Sequence, residues 1–228
     1  MSQFNLSARA RITAALAISS LASIGLFLIG AWSNHSLEFA YLIWNLFLAW
    51  VPLGLALWLQ HTLRHTLWSS WTALALTALW IGFLPNSFYL ITDYIHLQEI
   101  TPRVDLLYDV VMFSSFIFNG VILGYLSLYI VHRRLLERVS RRVASGLIGL
   151  VLLVSSFAIY IGRELRWNTW DVLANPASLL IDVSDRVLNP REHPQAFTTT
   201  LTFFVLLTSV YLVVWAVVRY VDRPPKSR

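Results

Sequence analysis

The sequence predicts an all-α fold, a polytopic transmembrane helix bundle with about six spans. Hydrophobic residues make up 57% of its 228 residues and the mean hydropathy is +0.63. Charged residues make up only 13% of the chain, against about a quarter in soluble domains. So few charges would not cover the surface of a soluble protein of this length, so we expect lipid to surround most of the chain.

Six apolar runs carry this prediction. A helix rises about 1.5 Å per residue, so crossing roughly 30 Å of hydrocarbon takes about 20 residues, and each run reaches or approaches that length. The runs lack the strict alternation of membrane strands and are about twice as long as such strands. We expect a single membrane domain over residues 1–228, with spans at about 12–32, 39–59, 68–84, 110–131, 143–161 and 197–218.

The first run follows Arg9 and Arg11, as the apolar core of a signal peptide would. Its apolar stretch is too long for such a core, and no clear small-residue cleavage site ends it. We therefore interpret it as a retained signal anchor.

The Lys and Arg residues predict the orientation of the bundle. With the N-terminus inside, twelve of the 17 Lys and Arg residues fall in inner segments, whereas ten of the 12 Asp and Glu residues fall outside or near outer helix ends. Cytoplasmic loops are enriched in Lys and Arg, so both termini are expected in the cytoplasm. The same positions explain the net charge of +5 by topology, and we expect no nucleic-acid partner because no base-reading motif is present.

A polar stripe follows the third run. Asn86, Tyr89, Asp93 and His96 are spaced by three, four and three residues, which puts them on one side of a helix. Pro85, just before the stripe, should kink or break that helix. Ionisable groups near lipid usually face a bundle interior or a cavity, so the stripe is a candidate site.

Two further polar clusters are expected near the same, outer side. Asp105 and Asp109 enter the fourth run one turn apart, and Asn119 lies deeper in it. Acids favour a helix N-terminus, which accounts for Asp105 more readily than for Asp109. The third cluster leaves the fifth run and contains Arg163, Arg166, Trp167, Asn168 and Asp171.

A short amphipathic helix should follow the third cluster and lie on the outer surface. Asn175 and Pro176 have the residue types of an N-cap and a first helical position. The apolar positions after them are Leu179, Leu180, Val183 and Val187. Their spacing predicts one apolar face on a helix between spans five and six.

The three clusters together predict a polar cavity open to the outer face between spans three, four and five. Asp93, His96 and Asp109 are its candidate catalytic residues. An anionic or lipid-linked ligand would be bound by the remaining candidates, namely Asn86, Tyr89, Asn119, Arg163, Arg166, Trp167, Asn168 and Asp171. The alternative is an ion-pair network that only docks the helices.

The chain contains no Cys, which removes disulfides, thiolate chemistry and Cys-based metal sites. One His with scattered carboxylates is a weak metal signal, so we expect neither a metal nor a cofactor. No sequence motif of a hydrolase or a nucleotide-binding loop is present. Membrane lipids are the expected partners, and nothing in the pattern predicts an oligomeric state.

These motifs resemble a family of bacterial integral-membrane proteins known as domain of unknown function 1361. The resemblance covers roughly residues 40 to 220, and it implies a multi-pass protein of the bacterial plasma membrane without implying an activity. The matching stretches are Gly82-Phe83-Leu84-Pro85-Asn86 with Tyr89, Thr92-Asp93, His96-Leu97, Tyr108-Asp109, Phe118-Asn119-Gly120, Gly162-Arg163, Arg166-Trp167-Asn168 and Trp170-Asp171.

Three functions remain compatible with these residues. An outer-facing enzyme or binder would use Asp93 and His96 as an acid/base pair and the arginines as an anion clamp. A small transporter or permeation subunit would use Asn45, Asn119 and helices interrupted by Pro52 and Pro85. A structural, sensory or assembly factor of the envelope would need neither.

Overall fold

The computed structural model describes residues 6–98, 106–167 and 174–221, and these ranges are helical apart from short connections. Six of the helices are long and apolar enough to cross a membrane, which confirms the predicted fold class. The chain is therefore a multi-pass membrane protein. The elements are α1 (Leu6–Asn34), α2 (Tyr41–Thr62), α3 (Trp71–Tyr89), a 3₁₀ helix (Leu90–Gln98), α4 (Leu106–Leu136), α5 (Arg141–Glu164), α6 (Pro176–Leu188) and α7 (Pro194–Val221).

The third span differs from its predicted limits. Pro85 neither ends nor interrupts α3, which continues to Tyr89 and passes directly into the 3₁₀ helix. Ser87 and Phe88, just after Pro85, are completely buried against α2 and α4. Tertiary packing thus keeps the backbone helical past a residue that lacks an N–H group.

Helices α2, α3 and α4 form the centre of the bundle and are joined by buried hydrogen bonds. The Trp80 indole N–H donates to Ser127 Oγ at 2.6 Å, and Ser127 in turn donates to the Pro52 carbonyl at 3.0 Å. Ser87 donates to the Ala49 carbonyl at 3.1 Å. Such bonds favour association of helices in lipid, where apolar contacts alone give little preference for a partner helix.

Two glycines let α3 and α4 approach closely. A Cβ atom at Gly120 would lie 2.7 Å from the Ser87 carbonyl oxygen, and one at Gly124 would lie 2.8 Å from Ser87 Cβ. These positions are four residues apart on α4 and therefore share one side of it. Small residues at this spacing are typical of close helix packing in membranes.

The outer helices of the bundle attach to this centre through α4 and α3. Helix α1 packs against α4, where Asn119 Nδ2 donates to Ser23 Oγ at 3.0 Å. Helix α5 packs on α3 and on α7. Near the C-terminal end of α4, His132 Nδ1 lies 2.8 Å from the Tyr211 hydroxyl of α7.

Helix α6 has the predicted place and amphipathic character. It begins with Pro176 at its first turn after Asn175, and its residues are all at least partly accessible. It lies between the fifth and sixth spans and is not one of the six apolar helices. Its Leu179 and Val183 side chains face the bundle, whereas Leu180, Ile181 and Leu188 are exposed.

Candidate functional site

A cavity of about 470 Å³ opens at the end of the bundle where α2 begins and where α3 and α5 end. Helices α2, α3, α5 and α6 and the 3₁₀ helix all contribute to its walls. Polar side chains occupy the end nearest the 3₁₀ helix, and apolar side chains follow along the spans. The lining residues are Tyr41, Trp44, Asn45, Leu48, Ile81, Gly82, Pro85, Asn86, Tyr89, Asp93, His96, Val154, Ala158, Ile161, Gly162, Arg163, Trp167, Leu179 and Val183.

Asp93 is the most deeply buried ionisable group of this cavity, with 1% of its surface exposed. Its Oδ2 atom accepts a hydrogen bond of 3.1 Å from Asn45 Nδ2 on α2. A buried carboxylate is costly unless hydrogen-bonded, so the Asn45 amide helps to stabilise it. The bond also ties the 3₁₀ helix to α2.

Arg163 and His96 form the second polar contact of the cavity. Arg163 lies in the last turn of α5, where a cation is favoured by the helix dipole. Its Nη1 atom is 3.2 Å from His96 Nε2. A guanidinium has only donors, so the His96 ring nitrogen accepts in this contact. The other side of the ring packs against Tyr41, with centroids 5.1 Å apart.

Asn86 and Tyr89 line the cavity from the last turn of α3, just before the 3₁₀ helix. Asn86 Nδ2 donates to the Phe83 carbonyl at 3.0 Å. The Tyr89 ring lies against Gly162 of α5, where an added Cβ would come within 3.2 Å of the ring. Gly162 therefore lets α5 approach α3 at the level of the polar residues.

Helix α6 covers the polar end of the cavity. The Trp167 indole N–H donates to Asp182 Oδ2 at 2.8 Å, which joins the end of α5 to α6. At the far end of α6, Asp185 accepts hydrogen bonds from Asn189 at 2.8 Å and from His193 at 2.7 Å. These bonds, the Asn189 bond above all, hold the pKa of the exposed Asp185 carboxyl below its usual range.

The structure brings together six of the residues that the sequence singled out. Along α3 and the 3₁₀ helix, the four residues of the polar stripe share one cavity although the helix type changes between them. Both Arg163 and Trp167 face that cavity from the end of α5. The six are Asn86, Tyr89, Asp93, His96, Arg163 and Trp167.

Of the five other predicted residues, three lie elsewhere and two fall outside the described residues. Asp109 and Asn119 are buried on α4 and are not among the residues that line this cavity. Arg166 is exposed and adopts a left-handed backbone conformation, with φ 59°, just after α5 ends. Asn168 and Asp171, like Asp105 of the second cluster, lie outside the described residues.

The set of helices around the cavity also differs from the predicted set. The sequence predicted a site between spans three, four and five, whereas within the described part of the chain the lining comes from α2, α3, α5 and α6. Helix α4 lies on the far side of α3, where Gly120 and Gly124 allow close packing. Asn45 of α2 therefore takes the place expected for α4 residues. The only sequence signal for it was a lone Asn in an apolar run.

Within the ranges that the structure describes, no three His, Asp or Glu side chains are grouped so as to hold a metal ion. The cavity instead combines one guanidinium, one imidazole, one carboxylate and two amides. This set can bind an anionic group next to a hydrogen-bond donor.

Comparison with known proteins gives one match. The model of a family described as "Protein of unknown function (DUF1361)" matches residues 44–212. That range contains every lining residue of the cavity except Tyr41. No curated protein and no solved structure matches the chain.

Proposed function

The chain belongs to the DUF1361 family of proteins of unknown function, and we propose that it binds an anionic ligand in the cavity between α2, α3, α5 and α6. Arg163 and His96 would bind the anionic group. Asp93 and Asn45 would bind an adjacent hydroxyl or ammonium group of the same ligand.

The observation that carries this proposal is the environment of Arg163. Within the described chain, its guanidinium contacts the His96 ring at 3.2 Å, and it interacts electrostatically with the Asp93 carboxylate without forming an ion pair. It also borders a cavity, so donors not used by His96 remain available to a ligand. Bidentate binding of carboxylate or phosphate groups is the interaction that a guanidinium favours most.

The acid/base alternative uses the same cavity. Asp93 and His96 lie three residues apart on the 3₁₀ helix, where residues at this spacing share one side. If the bound ligand is also converted, these two groups would serve as general acid and base. Asp109, on the far side of α3, would then have a structural role.

A transport path is less well supported. The Trp80, Leu128 and Leu152 side chains, deeper in the bundle than Gly82, are almost completely buried and belong to one apolar cluster. In the described chain this cluster separates the cavity from the opposite end of the bundle. A cavity closed on one side favours a binding protein or an enzyme over a permeation path.

For the orientation, we propose that the cavity faces the outer side of a bacterial plasma membrane and that both termini are cytoplasmic. The Lys- and Arg-rich connections on the side away from the cavity support this. A reporter that is active only outside the cytoplasm should be inactive when fused to the C-terminus. An active fusion would reverse the assignment.

The binding proposal is tested with Arg163→Gln in the full chain, purified in an uncharged detergent. The control is Arg142→Gln, an exposed arginine at the other end of α5. The probes are glycerol phosphate and phosphatidylglycerol, with affinity measured by native mass spectrometry and thermal shift. A lost charge-assisted hydrogen bond should weaken binding about tenfold or more. Equal affinities of Arg163→Gln and Arg142→Gln for both probes would refute the proposal.

A further inference from the structure

The cavity continues beyond its polar end as an apolar groove along α3. Helices α2 and α5 both pack on α3 and form the two walls. Leu48 lies on the α2 wall, and Val154 and Ala158 lie on the α5 wall. Ile81 and Gly82 of α3 form the floor. One continuous cavity thus has a charged end and an apolar end.

The side of this groove between α2 and α5 lies within the membrane-spanning helices and is open to their surroundings. Trp44 is 51% exposed and Val154 is 44% exposed, although both line the cavity. Both residues belong to candidate membrane spans. The side opening between α2 and α5 therefore faces the region that lipid chains occupy.

The groove is deep at Gly82 because this residue has no side chain. A Cβ atom added to Gly82 would meet nothing within 4 Å. The glycine is therefore not required for helix packing, in contrast to Gly120 and Gly124. A larger side chain at position 82 would project into the groove and fill it.

The distance between the two ends suits an amphiphile. The α-helical part of the groove, seven steps from Gly82 to Tyr89, is about 10 Å long. One leaflet is half of the roughly 30 Å hydrocarbon core, so the groove accommodates the part of a lipid chain that is nearest the headgroup. Helix α6 covers the charged end, with Leu179 and Val183 towards the cavity and Leu180 and Ile181 exposed.

We propose that the ligand is a membrane phospholipid with an anionic, donor-bearing headgroup, which enters sideways between α2 and α5. Its phosphate lies at Arg163 and His96, its headgroup hydroxyl lies at Asp93, and one chain occupies the groove over Gly82. This inference rests on the proposed function and adds the ligand class and the route. Charge complementarity supports it, since the guanidinium lies at the end of the groove where a headgroup would emerge.

The headgroup, rather than the chain, should determine which lipid binds. Lipid chains of different lengths are equally apolar, so the groove distinguishes little among them. The phosphate at Arg163 is common to phospholipids, whereas the headgroup hydroxyl at Asp93 is present in phosphatidylglycerol and absent from phosphatidylcholine. We therefore expect the groove to admit many chains and to discriminate among headgroups.

The test compares Gly82→Leu with Gly54→Leu in the full chain. Gly54 is a matched control because it also lies inside a helix, faces open space and is not among the lining residues. Native mass spectrometry measures retention of phosphatidylglycerol and phosphatidylcholine, and glycerol phosphate serves as the soluble probe. Unfolding temperatures of both variants show whether each remains folded.

We expect the wild type and Gly54→Leu to retain phosphatidylglycerol in preference to phosphatidylcholine, and Gly82→Leu to bind it about tenfold or more weakly because the chain is displaced. Binding of glycerol phosphate should be equal in all three. If Gly82→Leu retains phosphatidylglycerol like the control, the lipid inference is wrong. The binding proposal fails separately, when Arg163→Gln leaves both anionic probes unaffected.

Discussion

The two faces of α3 differ in how they are filled. On one face, Gly120 and Gly124 of α4 leave no room for a Cβ atom beside Ser87 and Phe88. On the other face, Gly82 adjoins open space, and Asn86 and Tyr89 line the cavity. A glycine in a membrane helix therefore has two different uses here. Gly120 and Gly124 permit close helix contact on one face of α3, whereas Gly82 leaves space for a ligand on the other face.

This difference separates stability from ligand binding. Substitutions on the α4 side of α3 should lower the free energy of unfolding and leave ligand binding intact in the molecules that remain folded. Substitutions on the cavity side should do the reverse. The predictions below are ordered from the largest expected effect on stability to the smallest.

Gly124→Val should destabilise the fold most. The added Cβ would come within 2.8 Å of Ser87 Cβ and 2.9 Å of the Phe88 ring, both of which are buried. Overpacking of this kind costs about 1–3 kcal/mol. Unfolding in a detergent titration measures the change, with Gly82→Val as the control. Equal stability of Gly124→Val and Gly82→Val would show that the two faces of α3 do not differ in packing.

Ser127→Ala should have an intermediate effect. It removes the acceptor of the Trp80 indole and the bond to the Pro52 carbonyl. Interhelical hydrogen bonds in membranes contribute about 0.6 kcal/mol on average and up to about 1.7 kcal/mol. Ser155→Ala is the control, since Ser155 is equally buried but its hydroxyl makes no hydrogen bond in the described chain. If Ser155→Ala lowers the free energy of unfolding as much as Ser127→Ala does, the effect comes from burial and not from hydrogen bonding.

Tyr89→Phe should have the smallest effect on stability. The ring that packs against Gly162 is kept, so the free energy of unfolding should change by less than about 0.5 kcal/mol. The lost hydroxyl should weaken binding of phosphatidylglycerol severalfold, since Tyr89 lines the cavity. Unchanged lipid affinity together with reduced stability would assign Tyr89 to packing alone.

Buried polar residues in the spans show why such tests are needed. Asn119 and Asp93 were both candidate site residues in the sequence, because each is a polar residue within or after an apolar run. Asn119 donates to Ser23 of α1 and to the Ser115 carbonyl of its own helix, and it lies away from the cavity. Asp93 lies at the cavity with Asn45. A polar residue in a membrane helix can thus dock a neighbouring helix or line a cavity, depending on which neighbour it meets.

The polar stripe is the part of the site that local sequence predicted best. Spacing alone put Asn86, Tyr89, Asp93 and His96 on one side, and they share the cavity in the structure. Asn45 was not grouped with them because it is 48 residues away from Asp93. Contacts at such separations depend on how helices pack, and no local pattern records this.

The sequence by itself determined the helical bundle, its six apolar spans and the amphipathic α6, because the membrane limits the allowed structures and requires a fixed span length. Only the tertiary structure decided which helices line the cavity. Close packing at Gly120 and Gly124 places α4 behind α3, so α2 and α5 become the walls. It also decided that Pro85 stays helical, since contacts with α2 and α4 outweigh the lost hydrogen bond.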